Sequence, residues 1–66
     1  MITDIGFAAG SIWKKLKDDG ETVITKLQRR TGLPINMFYM GLGWLAREDK
    51  VKFRREKRTI YVSIRE

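Results

Sequence analysis

Residues 31–48 read TGLPINMFYMGLGWLARE. Gly32 followed by Leu33-Pro34 is punctuation between two helices. Glycine accepts the left-handed backbone just past a helix end, and proline, with fixed φ and no N–H, suits the entry to the next helix. Residues 35–48 then keep a helical period. At about 100° per residue, Phe38, Leu42, Leu45 and Asp49 fall on one side, flanked by Ile35, Gly41 and Ala46, and the apolar members are the expected core face. Asn36, Met40, Gly43 and Arg47 fall opposite, with Met37 and Trp44 on one shoulder and Tyr39 near the other boundary. A helix on each side of the turn makes this a helix-turn-helix, with residues 35–48 in the place of the DNA-reading helix.

Ahead of it, Ile24 and Leu27 face inward on a second helix of about 22–31. A first helix of about 4–18 is expected to start at a Thr3 or Asp4 cap and to end before Gly20. Its Ile5, Ala9, Ile12, Trp13 and Leu16 share one face. Gly6 and Gly10 share another, read as tolerated drift or an ordinary helix crossing in the monomer, with a contact to a second subunit that Met1, Ile2 and Phe7 could join as the alternative. Behind the reading helix, Val51 and Phe53, then Ile60, Val62 and Ile64, alternate with polar residues, so about 51–64 is a hairpin with a tight turn inside RREKR, residues 54–58. A short strand at Thr22–Val23 could join it. The expected fold is therefore α+β: a single winged helix-turn-helix domain over 1–66, three helices plus a C-terminal two- or three-stranded antiparallel wing.

The chain has 66 residues and a net charge of +6, with no Cys and no His. That composition excludes disulfides, thiolate zinc sites, imidazole metal sites and Ser-His or Cys-His nucleophile pairs. No enzyme, metal or cofactor is expected, and no small-molecule pocket motif is present. The charge is uneven: residues 50–66 hold seven basic side chains against Glu56 and Glu66, whereas residues 1–20 balance at three of each sign. A basic lobe suits a polyanion, with nucleic acid ahead of a membrane surface, while its plain alternative is a solubility device. No apolar run reaches the ~18 residues of a membrane span, and MITDIG lacks the basic start of a secretory signal, so a cytoplasmic protein is expected.

The segments GSIWKKL (10–16), TGLP (31–34), GLGWLAREDKV (41–51) and IYVSI (60–64) resemble a family of small stand-alone winged helix-turn-helix proteins of bacteria and archaea. The resemblance covers nearly the whole chain, and LGWLARE followed closely by a basic residue is its most specific part. It implies the winged-helix fold. The family carries no assigned function, so DNA binding is implied only by analogy of fold.

Two functions compete. In the first, the chain is a regulatory or architectural DNA-binding protein of weak sequence specificity. Affinity comes from phosphate contacts by Lys26, Arg29 and Arg30 on the second helix, Arg47 on the third, and Lys52, Arg54, Arg55, Lys57 and Arg58 on the wing. Asn36 is the side chain best suited to a base edge. In the second, the third helix is a protein-protein or homodimer surface built on Met37, Tyr39, Met40 and Trp44, since aromatic residues and Met are enriched in interface cores. Trp44 has a third course, folding back under the hairpin or onto the first helix.

Overall fold

The computed structural model describes the backbone of residues 2–65 and the side chains of residues 4–65. Met1 and the side chains of Ile2 and Thr3, for which a subunit contact or a capping role is expected, lie outside the described residues. The elements run α1 (Ile2–Asp19), β1 (Thr22–Val23), α2 (Ile24–Thr31), α3 (Ile35–Arg47), β2 (Val51–Glu56) and β3 (Thr59–Ile64). The strands form one antiparallel sheet in the order β1-β3-β2. This is the winged helix-turn-helix that the punctuation and periods imply.

Each junction has a local cause. Gly20 stops α1 with φ 75, its N–H bonded to the Leu16 carbonyl at 2.8 Å. Thr22 and Val23 then pair with Val62 and Tyr61, so α2 starts at Ile24, two residues later than periodicity places it. Between α2 and α3, Gly32 takes φ 70. The turn is held by Gln28 Nε2 donating to the Leu33 carbonyl at 2.8 Å and by Thr31 Oγ1 donating to the Gln28 carbonyl at 2.8 Å. Pro34 stands just before α3, its carbonyl accepting the Phe38 N–H at 2.9 Å. Asp49 ends α3 in the left-handed region at φ 59. Its N–H bonds to Ala46 O at 3.1 Å and that of Lys50 to Leu45 O at 3.0 Å, the paired closing bonds of a Schellman motif.

The core lies between the helices and one face of the sheet. Ala9, Ile12 and Leu16 of α1, Leu27 of α2, Phe38, Leu42 and Leu45 of α3, Val51 of β2 and Val62 of β3 pack together. Ala8 is also fully buried, although it was not among the residues expected on the inner face of α1. The flanking assignments on α3 change as well. Ile35 is 61% exposed, Ala46 is exposed, and Asp49 is an exposed turn residue. The core covers an arc that runs through Gly41 and stops short of Ile35.

The close crossing expected at Gly6 and Gly10 occurs elsewhere. A Cβ on either would meet nothing within 4 Å, whereas one on Gly41 would lie 2.9 Å from the Ala9 nitrogen and 3.0 Å from Ala8 Cβ. Gly41 lets α3 lie directly on the α1 backbone, and α1 against α3 is the most extensive helix contact in the fold. Among the described residues no helix is long and apolar enough to cross a membrane.

Candidate nucleic-acid interface

The outer arc of α3 presents Asn36, Met40, Gly43 and Arg47, all exposed. The shoulders are apolar: Ile35 is 61% exposed and Tyr39 49% on one side, Met40 39% and Trp44 41% toward the other. Met37 is half-buried. Trp44 leans toward α1, where it shares a groove with Ala9, Gly10 and Trp13 without being covered. Polar readers on this helix are thus Asn36 at its start and Arg47 at its end, one helix-length apart.

The ten basic or amide residues expected to contact DNA divide by what holds them. Lys26, Arg29, Asn36, Arg47, Lys52, Arg55, Lys57 and Arg58 are exposed. Arg30 is held by Asp19, with Nε 2.7 Å from Oδ2. Arg54 is held more fully. It forms a bidentate pair with Glu21 (2.9 and 3.2 Å), donates to Glu56 at 2.7 Å, and stacks 4.2 Å from the ring centroid of Tyr61, its cross-strand neighbour. The two carboxylates raise the Arg54 pKa further above its usual value. Its guanidinium ties β2 to the segment ahead of β1 and is not free for phosphate.

Glu21 responds to pH accordingly. Its pKa is lowered, chiefly by the hydrogen bonds from Arg54; burial opposes this, and the charges of Arg54 and Lys52 add to the lowering. A carboxylate whose folded pKa is depressed contributes stability above its ordinary value of 4.5, and that contribution is lost as pH falls through the folded pKa. Glu21→Gln is therefore expected to lower stability modestly at about pH 7 and to have little effect at about pH 3. Urea denaturation of both proteins at both pH values checks this, and a pH-independent difference would refute it.

Alternation sorts the wing. Lys52, Arg54 and Glu56 point to the outer face with Tyr61, while Phe53 and Arg55 share the helix-facing side with Val51, Ile60 and Val62. β2 is an edge strand, so Phe53 emerges 48% exposed although its cross-strand partner Val62 is fully buried, and Ile60, nearer the tip on β3, is 36% exposed. These two apolar contact residues were not anticipated from sequence. The alternation of Phe53 with arginine was visible, but the point at which the helices stop covering the strand was not.

The tip is a two-residue loop, Lys57-Arg58, closing the Glu56–Thr59 pair. Lys57 has φ 56, a backbone state that glycine, asparagine or aspartate adopts more readily than lysine. Arg55 Nε donates to the Lys57 carbonyl at 3.2 Å. Lys57→Gly is expected to stabilise the fold by about 0.5–1 kcal/mol, left-handed strain relieved less the added entropy of the unfolded chain. It should also weaken duplex binding about five- to tenfold at ~0.1 M salt, the share of one phosphate contact. Thermal melts paired with binding isotherms check both signs.

Comparison with known proteins bears on this arrangement. The family profile described as "Winged helix-turn-helix domain (DUF2582)" matches residues 1–64. An uncharacterized protein of Methanocaldococcus jannaschii, MJ1608, is 41% identical over 49 residues, spanning 71% of this chain and 70% of that protein. The solution structure of BT2368 from Bacteroides thetaiotaomicron superimposes with a TM-score of 0.84 at 31% identity, over 94% of this chain and 76% of that one. The Zα domain of PKZ from Carassius auratus, solved in complex with Z-DNA, matches with a TM-score of 0.76 at 18% identity, over 92% of this chain and 97% of that domain. At that identity the last likeness is one of fold.

Proposed function

Because the chain belongs to the winged helix-turn-helix family DUF2582, we propose that it binds duplex DNA, with α3 against a groove and the wing along the phosphates. The observation that carries this reading is the set of exposed cations that form no salt bridge with another of the described residues on the fold's DNA-side elements: Lys26 and Arg29 on α2, Arg47 on α3, Lys52 and Arg55 on β2, and Lys57 and Arg58 at the tip. Phosphate contacts supply affinity without sequence information. With Asn36 as the principal base reader, against three or four side chains in a sequence-specific helix, specificity is weak. A regulatory or architectural role in the cytoplasm follows, and the domain acts as a binding module and not as an enzyme. The Zα domain, a winged helix bound to Z-DNA, lends support by analogy of fold.

Amide shifts of isotope-labelled protein titrated with a mixed-sequence duplex test this at low and near-physiological salt. Residues 36–47 and 50–58 are expected to shift together, less so as salt rises. A parallel titration of an alternating C-G duplex, followed by circular dichroism, reports whether the left-handed form is preferred. Shifts confined to the wing would remove α3 from the groove, and absence of shifts would remove DNA binding.

A second reading, a protein-protein or homodimer contact, is favoured by the large apolar side chains exposed on the two shoulders of α3, Ile35 and Tyr39 on one and Met40 and Trp44 on the other, since exposed apolar surface on a small domain marks an interaction site.

A further inference from the structure

Trp44 and Trp13 flank a groove of about 340 Å³ between α1 and the C-terminal end of α3, lined also by Ala9, Gly10, Glu48 and Lys50. We infer that this groove is the contact surface for a second copy of the chain, related by a two-fold axis that sets Glu48 of each copy against Lys50 of the other. The inference shares only Trp44 with the second reading above, moves the contact off the outer face of α3, and does not depend on DNA binding.

Three observations point to a like partner. First, the groove is mostly apolar and is walled by two tryptophans, with Trp44 41% exposed. Large aromatic rings dominate interface energetics when they are covered. Second, one acid and one base sit on the same patch with no ion pair to another of the described residues. Asp49, between them, is already engaged by Arg65 at 3.4 Å, whereas neither Glu48 nor Lys50 has such a partner. Such a pair is self-complementary about a two-fold axis, because residue i meets j and j meets i. A groove for a basic or acidic peptide would carry one sign of charge. Third, the position suits a dimer that still reads DNA. The groove lies between α1 and the last turn of α3, and neither Asn36 nor the wing tip lines it. A dimer through Tyr39 and the outward face of Met40 would instead cover the reading face. A small domain without disulfide or metal also gains most from association.

Charge exchange tests the pairing. Sedimentation velocity of the full chain without DNA, from about 10 µM to about 1 mM, is expected to show a monomer–dimer equilibrium of the weak, small-interface kind. Glu48→Lys and Lys50→Glu should each weaken it at least about tenfold, and the double exchange should restore it to within about threefold. Lys50→Glu is the discriminating variant, since it lowers the net charge from +6 and so reduces general repulsion between copies. A stronger dimer in that variant would overturn the inference. So would a wild-type chain that stays monomeric throughout, or a dimer indifferent to both exchanges, which would place the contact elsewhere. Both side chains are exposed and the Lys50 link to α3 is made by its backbone, so the variants are expected to fold. DNA titration of the same variants separates a failed dimer from failed DNA binding.

Discussion

Replacing Arg55, Lys57 and Arg58 together by alanine is expected to lower affinity for every duplex by roughly a hundred- to a thousand-fold at ~0.1 M salt. The magnitude follows from counterion release. Each neutralised phosphate contributes about 0.9 to the slope of log K against log salt, so three lost contacts flatten it by about 2.7 and remove roughly that many powers of the salt concentration from K. The three side chains are exposed, and among the described residues no carboxylate pairs with any of them. The loss should be uniform across sequences, because a phosphate carries no base information. Arg54→Ala is the contrast. Its guanidinium is committed to Glu21, Glu56 and the Tyr61 ring, so its removal should loosen the sheet edge and leave the salt slope nearly unchanged. Binding isotherms at four or five salt concentrations read both slopes. A triple variant with an unchanged slope would show that the wing does not touch phosphate.

Gly41→Ala should destabilise the fold by up to about 2 kcal/mol, and Gly41→Leu should leave little folded protein. The atoms in the way are the backbone nitrogen of Ala9 at 2.9 Å and the carbonyl carbon and Cβ of Ala8 at 3.0 Å. None can rotate aside, so α1 has to move as a unit and open the core that Ile12, Phe38 and Leu42 share. Overpacking of this kind costs about 1–3 kcal/mol and is offset in part by the better helix propensity of alanine, about 1 kcal/mol. A 66-residue domain holds only about 3–10 kcal/mol in total, so a larger side chain exceeds what the fold can absorb. Gly6→Ala shows the reverse. It gains the same propensity and meets nothing within 4 Å, so it should stabilise by up to about 1 kcal/mol. Chemical denaturation of the pair at low protein concentration decides it. Gly41→Ala at or above wild-type stability would mean that the helices are not in contact there.

The two glycines also show where sequence reading runs out. A Gly6/Gly10 spacing looks like a crossing motif, but which glycine faces a neighbouring backbone depends on how the helices are stacked, and that is a property of the assembled core. Local features were legible for local reasons. Gly32 and Pro34 mark the turn through their own backbone preferences, and Val51 and Val62 announce strands through alternation. Strand β1 could only be offered as an option, because two residues carry no period. In the interface the basic residues were plain, but their availability was not. Glu21, the bidentate partner of Arg54, and Asp19, the partner of Arg30, lie 33 and 11 residues away, so only the folded chain distinguishes a committed cation from a free one. Ile35 reaches the surface because the core arc of α3 stops short of it, and Phe53 and Ile60 because they sit at the edge and toward the tip of the sheet.

The left-handed backbone of Lys57 bears on how this protein would respond to laboratory evolution. A library sorted for heat resistance alone would enrich glycine at that position and keep it. Each round would look like progress by every assay of folding while one charge at the tip disappeared. Sorting for duplex retention would hold the lysine against that drift. The residue at 57 thus reports which of the two demands a population has met.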